Sequence, residues 1–165
     1  MDPNRLKELQ ELANQKKEKE SQLKKEVEEY NKKRIEQEKE FKSKFSILKH
    51  KVFEPFVNET AKTGINVKFF SDDISNKLEY KIEKFFRLLY YSKTGNAQFV
   101  GINTYYINFE GFPNKNTIQI TQLLSLNNHT SVENIGEFQI DDLDKDRLEE
   151  YMLEFLRNVV KKSNA

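Results

Sequence analysis

Phe41-Lys42-Ser43-Lys44-Phe45-Ser46-Ile47-Leu48-Lys49-His50-Lys51-Val52-Phe53-Glu54-Pro55-Phe56 is the stretch on which the fold turns. Apolar residues fall at Phe41, Phe45, Leu48, Val52 and Phe56, every third or fourth position. That is the 3.6-residue period of a helix docked on a globular core. Pro55 predicts a kink or interruption, because its ring clashes with the preceding turn and it has no N–H to donate. The apolar stripe continues through Val57 and Ala61, and Gly64 is a natural C-terminal stop.

Toward the N-terminus the chain is built almost wholly of helix formers. Residues 1–51 hold 15 Lys/Arg and 11 Asp/Glu, a net of +4, with no Gly and no Pro after Pro3. Asp2 is placed to cap the helix and Pro3 to occupy its first position. A helix running from there to about Pro55 would extend roughly 75 Å. A domain of about 100 residues is only about 26 Å across, so it cannot cover such a rod along its length. A second helix is the natural cover, and the expectation is a coiled coil.

The heptad pattern supports that expectation, with interruptions. With Leu6 at position a, the seam runs Leu6, Leu9, Ala13, Leu23, Val27, Tyr30 and Phe41. Lys16, Glu20, Arg34 and Gln37 fall on the same seam, and polar seam residues weaken a coil while fixing register, orientation or partner. Glu/Lys pairs four apart, such as Glu20–Lys24 and Glu28–Lys32, would support a lone helix by only tenths of a kcal/mol each.

Toward the C-terminus the physics changes. Residues 52–165 carry 13 Lys/Arg against 16 Asp/Glu, a net of −3, and hold all five Gly and eleven of the thirteen Phe. Strands are expected at 65–70, 98–109, 117–126 and 132–140, the last broken by Gly136. The turns lie at Ser71-Asp72-Asp73, Lys93-Thr94-Gly95-Asn96, Glu110–Asn116 and Asn127-Asn128-His129. Leu78–Tyr91 fits both periods, with aromatic content tilting it to strand. Short connections favour an antiparallel meander. A final helix over 142–162 carries the stripe Leu143, Leu148, Tyr151, Met152, Phe155, Leu156 and Val159. Its acidic first turn and its closing Lys161 and Lys162 match the helix dipole. The expected fold is therefore α+β: a long coiled-coil-type helix (1–51), then an α+β domain (52–165) in which a small antiparallel meander packs against a C-terminal helix.

Several function classes fall away. With no cysteine there is no disulfide scaffold, thiolate metal site or thiol nucleophile. A net charge of +1 argues against a wholly basic nucleic-acid coat. No apolar run approaches the ~18–20 residues of a membrane helix. The polar opening Met1–Gln10 does not look like a secretory signal, so a cytoplasmic location without membrane contact is expected.

The remaining chemistry is sparse. Asp142-Leu143-Asp144-Lys145-Asp146 imitates the start of a calcium loop. However, the sixth position is Arg147 instead of Gly and the twelfth is Leu153 instead of Glu, so the acids read as a helix N-terminus. His50 and His129 are the only histidines and lack zinc-type spacing or a triad context. The sequons at Asn58 and Asn128 read as chance in an Asn-rich chain. No catalytic residue, cofactor or metal site is expected.

The function expected is non-enzymatic: oligomerisation or scaffolding. The chain would form a homo-oligomer, dimer or higher, through Leu6, Leu9, Ala13, Leu23, Val27, Tyr30 and Phe41, and its head would meet an unidentified protein partner. The alternative is a nucleic-acid-associated protein. There Lys16, Lys17, Lys19, Lys24, Lys25, Lys32, Lys33 and Arg34 would contact phosphates, and the aromatic strand Phe99–Phe109 would stack on bases.

Overall fold

The computed structural model describes residues 1–72, 85–91, 104–124 and 132–163. Its elements run in the order helix α1 (Pro3–Ile47), a π-helical segment (Leu48–Phe53), α2 (Glu54–Lys62), strands β1 (Val67–Ser71), β2 (Phe85–Tyr91), β3 (Thr104–Phe112), β4 (Thr117–Leu123) and β5 (Glu133–Gln139), a 3-10 turn (Ile140–Asp142) and helix α3 (Lys145–Ser163). The chain is α+β, a long N-terminal helical stretch followed by a five-stranded antiparallel sheet and a C-terminal helix. Among the described residues no helix is long and apolar enough to cross a membrane.

By its contacts the chain divides into two units, Met1–Gln37 and Glu38–Ala165. The second unit thus begins before residue 52, where composition alone puts the boundary, because Phe41 and Phe45 are already part of the core. In the first unit the Asp2 cap forms as expected. The Asn4 N–H donates to Asp2 Oδ1 at 3.1 Å and the Leu6 N–H to the Asp2 carbonyl at 3.1 Å. Every residue from 1 to 37 is exposed.

In the second unit the proline is absorbed without breaking the helix. The Glu54 N–H donates to the Lys49 carbonyl five residues back, and Pro55 sits in the first turn of α2. A widened turn beside proline is one of the few ways a helix accommodates the lost N–H and the ring. α2 then stops at Gly64, whose φ of +92° is the left-handed conformation expected after a helix end.

The sheet order is β1-β2-β3-β4-β5, every neighbour pair antiparallel, which is the expected meander. One face carries Phe86, Leu88 and Tyr90 of β2, Ile107 and Phe109 of β3, and Ile118 and Ile120 of β4, all buried. Against it lie Phe41, Phe45, Leu48, Val52, Phe53 and Val57 from the helical stretch, and Leu148, Met152, Phe155 and Val159 from α3. Aromatic rings form the centre, with centroids 5.0 Å apart for Phe45–Phe86, 4.6 Å for Phe53–Phe86 and 5.1 Å for Phe86–Phe109. Such tilted and offset pairs add to the area they bury. Lys49 is buried almost completely, its Nζ 5.6 Å from the Phe69 ring centroid.

Some local expectations shift. Residues 85–91 are strand, decided by pairing to β1 on one side and β3 on the other; the remainder of the ambiguous stretch, 78–84, lies outside the described residues. The 98–103 part of the next expected strand and the turns at 93–96 and 127–129 also lie outside them. Gly111, read as loop, is inside β3, which runs to Phe112. A Cβ there would sit 3.0 Å from the rings of Phe41 and Phe45, so glycine is what lets the helix approach the sheet. The turn occupies 113–116 and closes on Asn116 at φ 58°. In β5 the register slips by one residue next to Gly136, the break that glycine signalled. The last helix begins at Lys145 and not at 142; Asp142 belongs to the preceding 3-10 turn.

Candidate functional site

The first unit presents an apolar stripe that is exposed along its length. Leu6, Leu9, Leu23, Val27 and Tyr30 are exposed by 49, 51, 62, 50 and 68% respectively, and Ala13 is exposed as well. Leu12 and Ile35 lie off the seam and are also exposed. Burying a Leu or Val side chain fully contributes about 1.5–3 kcal/mol, so this stripe is a substantial reservoir of unused stabilisation. An isolated helix gains only tenths of a kcal/mol from pairs such as Lys16–Glu20, whose Nζ and Oε1 lie 3.8 Å apart at the surface.

Phe41 does not belong to that surface. It has no exposed area, stacks on Phe45 at 5.7 Å and packs under Gly111. The heptad spacing reaches it only because a coiled-coil seam and a core-docked helix share nearly the same period.

The second unit offers two surface features. The first is an apolar groove of about 510 Å³ between α2 and α3, lined by Phe56, Ile65, Leu153, Leu156 and Val160, with Glu59 and Arg157 among its polar residues. Arg157 Nη1 donates to Glu150 and Glu154, each at 3.0 Å, and these bonds hold its pKa above the ordinary arginine value. The second is on the sheet face opposite the helices. Arg87 lies over the Tyr106 ring at 4.1 Å and the Phe85 ring at 5.2 Å, while its Nε donates to Asn108 Oδ1 at 3.2 Å. Burial pushes the Arg87 guanidinium down, opposed electrostatically by its neighbours Tyr106 and Glu110, and burial alone pushes the Tyr91 phenol up. Phe70 stacks on Phe85 at 6.0 Å and is half exposed.

The strand expected to meet bases, Phe99–Phe109, reaches this face through Tyr106. Within Phe99–Phe109, Ile107 and Phe109 are buried in the core, and 99–103 lie outside the described residues. The aromatic and cationic side chains of this face include Phe70, Phe85, Arg87, Tyr91 and Tyr106. Alternation along β2 and β3 carries that signal once the register is known.

Of the acids at 142–146, Asp144 has a structural role. The Arg147 N–H donates to Asp144 Oδ1 at 2.8 Å, which caps α3, and Arg147 Nη1 donates to the Asp142 carbonyl at 3.2 Å. His50 does have a carboxylate neighbour: its Nδ1 lies 3.1 Å from Glu54 Oε2, a pairing the i,i+4 spacing signals in the sequence. His129 lies outside the described residues. Compared with models of protein families, with curated proteins and with solved structures, the chain matches none.

Proposed function

We propose that this protein is a non-enzymatic assembly or adaptor protein that self-associates through its N-terminal helix and presents its head to a protein partner. The observation that carries the reading is the exposure of the whole repeating stripe Leu6, Leu9, Ala13, Leu23, Val27 and Tyr30 on one uninterrupted helix. Helices of this kind owe their stability to burying an apolar face more than to intrinsic propensity, so the stripe calls for a partner. The groove between α2 and α3 supports the second part of the reading, since a concave apolar surface with a polar margin suits a protein ligand.

Light scattering on the intact chain at micromolar concentration tests this. The expected mass is that of a dimer or higher oligomer, and Leu9→Asp combined with Leu23→Asp returns it to a monomer. An intact chain that is strictly monomeric and fully helical would remove the proposal.

A further inference from the structure

Resting on that self-association, we infer that the occupant of the stripe is a second copy of the same helix running antiparallel, with the two-fold axis level with Glu18. The argument is charge complementarity along an unbroken heptad register, because α1 is regular α-helix from Pro3 through Arg34.

In a parallel, in-register pair every seam residue meets its own copy. Lys16 would face the partner's Lys16, Glu20 the partner's Glu20, and Arg34 the partner's Arg34. That makes three like-charge layers in the part of the interface most shielded from water, where such juxtaposition is most costly. Antiparallel pairing removes all three, because position a of one helix then faces position d of the other. With the axis at Glu18, Leu6 faces the partner's Tyr30, Leu9 the partner's Val27, and Ala13 the partner's Leu23. Lys16 faces the partner's Glu20, and Arg34 lies level with the partner's Asp2, the cap just outside the helix. Apolar meets apolar, Lys16 and Glu20 meet their opposites, and Arg34 no longer faces its own copy.

The register is also selective. Moving the axis by half a heptad in one direction sets Glu20 against the partner's Leu9 and Ala13 against the partner's Lys16. In the other direction Glu20 meets the partner's Leu23 and Val27 the partner's Lys16. Either slip buries charges against apolar residues. The flanking positions oppose the favoured pairing, since Lys17 and Lys19 meet their own copies near the axis and Arg5 lies near the partner's Lys33. Those side chains are exposed and screened, whereas the seam layers are desolvated, so the seam decides. The exposed intrahelical Lys16–Glu20 pair is readily given up for the intermolecular one.

The chain's lack of cysteine makes the test direct. Leu9→Cys and Val27→Cys are made singly and together in the full chain, oxidised under mild conditions and resolved on non-reducing gels beside light scattering. Positions 9 and 27 of one helix are about 27 Å apart, so a disulfide within the chain is impossible. The expected result is a covalent dimer from the double variant and none from either single variant. In parallel, Lys16→Glu weakens the dimer by roughly tenfold or more, and Lys16→Glu with Glu20→Lys restores it. A covalent dimer from Leu9→Cys alone means parallel helices and overturns the inference while leaving self-association standing. So does a dimer by light scattering that no variant crosslinks, or a charge swap that fails to restore association. A monomer at every concentration overturns self-association as well.

Discussion

Two parts of one helical stretch carry apolar residues at the same spacing and meet different fates. Leu6, Leu9, Leu23, Val27 and Tyr30 are about half exposed or more, while Phe41, Phe45, Leu48, Val52, Phe53 and Val57 are almost entirely buried. The difference lies in what is opposite. The later segment meets Phe86, Phe109, Gly111 and α3, all supplied by residues far along the same chain. The earlier one lies within the first unit, where every residue is exposed, and its stripe is interrupted by Lys16, Glu20 and Arg34. A three-and-four period thus marks a helix face suited to burial. Whether the chain itself covers that face depends on the rest of the sequence.

The sharpest way to break this contrast is to delete similar side chains on each side of it. Phe53→Ala or Phe86→Ala should cost the head about 3–5 kcal/mol, read as a lower midpoint in urea, because both rings have no exposed area. Leu23→Ala should leave that midpoint where it is and act only on association. A head that tolerates Phe53→Ala, or that weakens with Leu23→Ala, would show the two segments are not separate in their energetics.

Next in size is Gly111→Val. A branched side chain where even a Cβ would touch Phe41 and Phe45 at 3.0 Å should cost about 1–3 kcal/mol by overpacking. If the urea midpoint is unmoved, the docking of the helix on β3 is looser than the contact implies. Asp144→Ala removes the α3 cap and should cost about 0.5–2 kcal/mol in the same assay.

The smallest effect is expected at Lys44, whose exposed ammonium bonds to Asp141 and Glu40, the first partner raising its pKa most. A lysine raised on folding contributes below its unfolded value and loses that contribution as pH climbs through the folded one. The Tm gap between the natural chain and Lys44→Met should therefore be small at neutral pH and close in strongly alkaline buffer. A gap that widens there would contradict the pairing.

Much of the fold is legible in the sequence because its signals are local. Gly64 ends a helix, Pro55 perturbs one, and the strand alternation of Thr117–Leu123 and the stripe of α3 need no knowledge of the rest. What is not legible depends on distant contacts. Phe85–Tyr91 becomes strand because strands on both sides claim its hydrogen bonds. Gly111 resembles a turn residue until the rings it makes room for are known, and those lie in a helix at the other end of the sequence. The candidate seam is legible as far as Tyr30, and it overreaches at Phe41 because spacing does not record what covers a side chain.

The π turn at Leu48–Phe53 also works as an angular setting. One additional residue in the hydrogen-bonded ladder advances everything after it by about 100° of azimuth. Chain length there fixes the heading of α2 and, with it, which residues line the groove against α3. Deleting one residue from the segment would regularise the helix and rotate Phe56 and Val57 by most of a third of a turn. Changing none of the groove's own side chains, the protein could lose or remake that surface through a single insertion or deletion placed before it.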